Sequence, residues 1–140
     1  MSSSPHPLTA VFPGDRYGIA QPRDEVTADT IITLGLALAK DPAWEPGFTE
    51  VWDMRFTPSI DLVPSDAQTL LNLERKTREM LAGSATIIVT YRPLILFSIQ
   101  FYARLVKPLG RKVTGLDKAE EAARLLGIPE LPDLSAGAPA

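Results

Sequence analysis

The sequence predicts an α/β domain: a single-layer, mixed but mostly parallel five-stranded sheet with four helices, in the order ββαβαβαβα. Three observations predict it. From Thr27 onward, segments of helical periodicity alternate with apolar runs of strand length, the signature of strand–helix–strand units with parallel central strands. The stretch "SATIIVTY" at residues 84–91 contains a continuous Ile87-Ile88-Val89 run, as in strands covered on both faces. The length of 140 residues suits one domain with a core of its own. The domain is assigned to residues 8–127, with a disordered leader at 1–7 and an extended tail at 128–140.

The elements follow in order. Residues 8–12 and 16–20 read as a hairpin around Pro13-Gly14-Asp15, where proline presets one dihedral and glycine accepts a positive one. Thr27 is placed to cap the first helix, and Asp29 lies where the helix dipole favours an anion. Ala28, Ile31, Ile32, Gly35, Leu36 and Ala39 form its apolar stripe, with Leu34 and Leu38 off it, and Pro42 ends it. Residues 48–56 read as a strand.

Ser65 and Gln68 have the spacing of a capping box for the second helix, which is expected to reach Leu81 on a face of Leu70, Leu73, Thr77, Met80 and Leu81. Glu74 with Arg78, and Arg75 with Glu79, have the spacing of weak surface pairs. Gly83 fits the exit. After the strand at 84–91, Pro93 opens a third helix that continues to Val106. Residues 111–114 form a short last strand. Asp117 and Glu120 have capping-box spacing for a final helix ended by Gly127. Beyond it only Leu131 and Leu134 could hold the tail to the body.

Composition narrows the function. The net charge is −3 and no basic stripe occurs, which argues against nucleic acid. There is no cysteine, so thiol nucleophiles, thiolate metal sites and disulfides are excluded. The single histidine, His6, stands between prolines in the leader with no second histidine to form a metal site or a catalytic pair. No glycine-rich phosphate loop is present. The expectation is a protein with no catalytic residues, no metal and no cofactor. The amino-terminal residues lack the cationic start and apolar core of a secretory leader, and with the absence of cysteine this points to the cytoplasm. The apolar stretch near residues 94–106 is interrupted by Ser98, Gln100 and Arg104 and falls short of the about 20 residues of a membrane span.

The third helix, "PLILFSIQFYARLV", carries the clearest functional signal. Leu94, Phe97, Phe101 and Leu105 mark one face; Ile95, Ile99, Tyr102 and Val106 mark another. A helix packed on a sheet needs one apolar stripe, so a second face calls for a second cover. That cover is a homodimer partner, another part of the chain, or an apolar ligand or membrane surface. The candidate interaction surface is Leu94, Phe97, Ile99, Phe101, Tyr102 and Leu105. A second candidate region begins at Asp53 and Arg55, at the carboxyl end of a strand. There open α/β sheets bind ligands, but polar residues also commonly satisfy loop backbone there.

The order and spacing of "EVTADTIITLGLALAKDPAWEPGF", "VWDMR", "ATIIV" with the following Phe-rich helix, and "LDKAEEAARLLG" resemble the small bacterial STAS-like, or SpoIIAA-like, domains related to anti-sigma-factor antagonists. The resemblance covers roughly residues 8–127. It departs from the family's pattern where Phe97 is followed by Ser98 and where Leu116 stands in place of an aromatic. It implies a non-enzymatic regulatory domain working through protein contacts. It also implies a phosphorylation switch in the region of Ser59 and Ser65, where Ser65 read as a residue alone is an N-cap. The alternative function is binding of a small apolar ligand or lipid between the sheet and the third helix, gated by Phe97, Phe101 and Tyr102.

Overall fold

A computed structural model describes residues 6–63, 65–77 and 79–135, and for Ser98, Tyr102, Leu105 and Leu109 the backbone alone. Strands β1 (Thr9–Phe12), β2 (Tyr17–Ala20), β3 (Thr49–Asp53), β4 (Ala85–Val89) and β5 (Lys112–Leu116) form one sheet in the order β1-β2-β3-β4-β5. β1 and β2 are antiparallel and every later pairing is parallel, as expected. Helices α1 (Ala28–Ala39), α2 (Asp66–Lys76) and α3 (Pro93–Val106) connect the parallel strands, and α4 (Ala119–Leu126) closes the chain. Crossovers of one hand that all step in one direction deliver their helices to the same face of a sheet. Side chains of α1 and α3 therefore share a core with Trp52 and Ile88, joined by Leu81 from the segment that follows α2. The opposite face is covered by α4 and the tail.

Two close approaches set this packing. A methyl group on Gly18 would come within 2.8 Å of the Trp44 ring, whose indole N–H donates to the Met80 carbonyl at 2.7 Å. A methyl group on Gly115 would come within 2.8 Å of Leu96, so α3 lies directly on β5. In α1 the buried residues are Leu34, Gly35, Leu38 and Ala39. The two leucines expected off the stripe are the ones the sheet covers, because Gly18 leaves room for Leu38 and Trp44 above β2.

The Thr27 cap is present, completed by Thr30, whose hydroxyl accepts from the Thr27 N–H. The other two caps differ from expectation. Ser65 has helical backbone angles, so its hydroxyl makes no cap, and the Asp66 carboxylate accepts from the Val63 N–H at 2.9 Å instead. At α4 the cap position belongs to Lys118, one residue beyond Asp117. In the described part of the tail, residues 128–135, both leucines meet the body. Leu131 is buried beside Ile87, Val89 and Ala122, and Leu134 packs with the group around Tyr17 and Val51.

Tyr17, stacked on Phe12 with ring centres 5.0 Å apart, is buried in that second layer. Burial, and secondarily the nearby Asp15 charge, pushes its hydroxyl pKa up to about 12. A group with a raised folded pKa contributes stability that is complete below its unfolded value, about 10, and is lost as pH rises through the folded value. Spectrophotometric titration should therefore find one of the three tyrosines ionising near pH 12, together with unfolding. Tyr17→Phe should remove that step. Ionisation of all three in one ordinary transition would contradict this placement.

Candidate functional site

The two faces read from α3 separate in space. Ile95, Ile99 and Val106 are buried against the sheet, whereas Leu94, Phe97 and Phe101 are 84%, 72% and 61% exposed. Tyr91, just before the helix, adds another exposed ring. Ile99 therefore leaves the candidate surface: it packs at Gly115 and faces the interior. The side chains of Tyr102 and Leu105 lie outside the described set.

Beneath the inner face of α3 is a cavity of about 120 Å³. Its floor is Trp52 and Ile88 of the sheet, and its walls include Ile31 and Gly35 of α1, Leu70 and Leu73 of α2, and Ile95 and Ile99 of α3. Phe97 and Phe101 do not line it, because they point outward, so two of the three expected gate residues lie elsewhere; the third, the side chain of Tyr102, is outside the described set. The hollow opens toward the surface at Leu62, which is exposed.

One end of the cavity is polar. Glu50 follows from the alternation of β3: it shares the face of Trp52, two residues on, and lies opposite Thr86 in the β3–β4 register. Its Oε1 accepts from the Thr86 hydroxyl at 3.0 Å and lies 3.3 Å from an Arg111 guanidinium nitrogen. Arg111 also donates to the Ser84 carbonyl at 3.0 Å, bonds Thr86, and places its Nε 3.0 Å from a Glu74 carboxylate oxygen. Arg111 comes from the lead-in to β5 and Glu74 from α2, so the cluster ties three elements together. Burial outweighs the Arg111 charge and holds the Glu50 pKa above the ordinary carboxylate value, with Glu74 adding to the rise. Glu74 pairs with Arg111; the expected surface pair with Arg78 lies outside the described residues. On the far side, Glu74 and Arg111 border a second, more polar hollow of about 260 Å³.

The Asp53 region has a different role from the ligand cleft weighed above. Asp53 is fully buried and is gripped by Arg55 through its backbone N–H at 3.2 Å and its guanidinium at 2.7 and 2.9 Å. This grip raises the pKa of Arg55. Gln21 joins them, donating to Asp53 at 2.9 Å and to the Pro132 carbonyl at 2.8 Å, and accepting from the Leu134 N–H at 2.9 Å. The Phe56 ring meets the guanidinium groups of both Arg23 and Arg55, 4.0 and 5.0 Å from its centre. The carboxyl end of β3 is thus occupied by the chain's own tail. Ser59 is held apart from this pair and donates to Glu25 at 2.8 Å. Ser65 is exposed at the start of α2. His6 accepts from the Leu8 N–H at 3.1 Å.

Sequence reading missed the Glu50–Glu74–Arg111 cluster and the central position of Gln21. A charged residue on the Trp52 face of a central strand was the available signal for the first, since such a group requires a buried partner. Among the described residues, no helix is long and apolar enough to cross a membrane.

No protein-family model and no curated protein sequence matches the chain. Among solved structures, the fold is similar to that of an uncharacterized protein of the DUF3478 family, with a SpoIIAA-like fold, from Shewanella loihica PV-4. The two share 15% identity over 79% of this chain and 83% of the other, with a TM-score of 0.51. The chain has a SpoIIAA-like α/β fold.

Proposed function

We propose that this is a non-enzymatic interaction domain that works as a homodimer through the outer face of α3. The observation that carries the reading is the exposed row Leu94, Phe97 and Phe101, spaced i, i+3 and i+7 on one side of the helix. Such a row is the stripe that helices present to one another. Large contiguous apolar surface on a folded chain marks a place where something binds. A second copy fits because the row is uncharged: Arg104, near the carboxyl end of α3, is the only residue of the helix that carries a charge at neutral pH. A two-fold axis can therefore set the row against its own image without opposing like charges.

Light scattering over a dilution series tests this. The wild-type chain should show twice its 15.2 kDa mass at high concentration and dissociate on dilution. Phe101→Glu should be monomeric at every concentration, with a monomer stability within about 0.5 kcal/mol of wild type because the position is open to water in the single chain. A wild-type protein that stays monomeric when concentrated would overturn the reading.

The cavity favours a second reading, in which the domain takes up a small, mostly apolar molecule between the sheet and α1, α2 and α3. What supports it is a hollow of about 120 Å³ with mainly aliphatic walls that reaches from the exposed Leu62 into the main core. An apolar cavity of comparable size, ~150 Å³, is large enough to hold benzene.

A further inference from the structure

We propose that the surface holding the carboxyl-terminal segment is a peptide-recognition site, and that its partner is an extended segment of another protein with the pattern apolar–Pro–Glu–apolar. The chain's own Leu131-Pro132-Asp133-Leu134 is the resident occupant that such a partner displaces.

The way the segment is held shows what the site selects. Gln21 is buried, and its amide donates to the Pro132 carbonyl while its oxygen accepts from the Leu134 N–H. These two groups flank one residue and point to the same side of an extended chain, so a single glutamine holds the backbone as a neighbouring strand would. Any extended sequence offers them; side chains supply the choice. Leu131 enters the layer of Ile87 and Val89, Leu134 enters that of Tyr17 and Val51, and between them Asp133 meets Arg23. Pro132 has no N–H to leave unpaired, and its fixed φ suits extended backbone.

The resident acid matches Arg23 incompletely. Its Oδ1 accepts from Nη2, and the same oxygen also accepts from the N–H and hydroxyl of Ser135. Arg23 Nε is buried with no hydrogen-bond partner among the described residues. A carboxylate that engages two guanidinium nitrogens together makes the stronger contact. Aspartate favours the turn onto the N–H two residues on. Glutamate, one methylene longer, does not, and leaves both oxygens for Nε and Nη2. A second copy of the chain brings only the same aspartate, against a resident tail at high effective concentration. A partner with glutamate at this position improves on the resident.

Fluorescence anisotropy tests this with the full-length chain carrying Asp133→Arg and Leu134→Ser, which weaken the resident segment and leave the body unchanged. The probes are labelled peptides of residues 128–135: the parent, Asp133→Glu and Asp133→Asn. Each also carries Glu130→Gln, so that a shifted register offers no second acid. The Asp133→Glu peptide should bind about three- to tenfold more tightly than the parent, the gain from a second charge-assisted hydrogen bond at a partly exposed pair. The Asp133→Asn peptide should bind about two- to fivefold more weakly than the parent. Arg23→Gln in the same chain should bring all three to one affinity. The unmodified protein gives a second readout that needs no variant: excess Asp133→Glu peptide should speed hydrogen exchange at the Leu134 amide while amides of β3 and β4 keep their protection. If the parent binds as tightly as the Asp133→Glu peptide, the assignment to a glutamate-bearing partner is wrong. If no peptide binds and exchange at Leu134 is unmoved, the segment is a fixed part of the fold and the proposal falls. Neither result bears on the α3 dimer or the cavity.

Discussion

Arg111→Met should lower the unfolding free energy by about 3–5 kcal/mol at neutral pH, the range for removing one member of a buried ion cluster. The side chain is 8% exposed and serves both Glu50 and Glu74, along with Thr86 and the Ser84 carbonyl. Methionine preserves much of the volume but removes the guanidinium that the two carboxylates share. The loss should depend on pH in a definite direction. Burial already raises the Glu50 pKa, so its contribution to stability is complete below the unfolded carboxylate value and is lost as pH rises through the folded one. Without Arg111 the folded value rises further, because the positive charge that lowers it most is gone. The mutant should therefore approach wild type in mild acid and fall behind as the solution is made neutral and then alkaline. Urea unfolding at several pH values measures this directly. Glu50→Gln in the Arg111→Met background should restore part of the loss as the solution is made alkaline, because it removes the carboxylate whose ionised form burial disfavours. A destabilisation below about 1 kcal/mol that does not vary with pH would place Arg111 at the surface, where ion pairs contribute little.

The architecture was legible because it rests on local repetition. Alternation between strand-length and helix-period segments carries the order of elements, and the Ile87-Ile88-Val89 run identifies a strand covered from both sides. Short motifs were less dependable. The Ser65–Gln68 spacing imitates a capping box, yet a cap requires extended backbone at its first residue, and Ser65 is already helical. The buried cluster left partial traces. Glu50 shares a strand face with Trp52, and Glu74 lies four residues after Leu70 and three before Thr77, both buried. What periodicity does not contain is the partner: Arg111 meets Glu50 only when β5 docks beside β4, and no local pattern encodes a contact across 61 positions. The α3 row was visible for the opposite reason, since both of its faces are written in one contiguous helix.

Gln21→Leu is expected to destabilise the domain by about 2–4 kcal/mol and to free the carboxyl-terminal segment before the sheet unfolds. The effect comes from one side chain whose hydrogen bonds are all inside the protein. Gln21 is completely buried; its amide donates to Asp53 and the Pro132 carbonyl, and its oxygen accepts from Arg23 and the Leu134 N–H. Leucine fills similar space but supplies none of these groups. Asp53 keeps Arg55. The Pro132 carbonyl and Leu134 N–H lose a partner that water can replace only if the segment lifts away. Once lifted, it uncovers the layer that Leu131 and Leu134 share with Ile87, Val51 and Tyr17. The exposed apolar face then adds to the loss from unpaired polar groups. Hydrogen exchange resolves the sequence of events: the Leu134 amide should lose its protection in Gln21→Leu under conditions where amides of β3 and β4 remain protected. If Leu134 stays as protected as the sheet, the leucines alone hold the segment, and the polar anchor at the end of β3 is incidental to its docking.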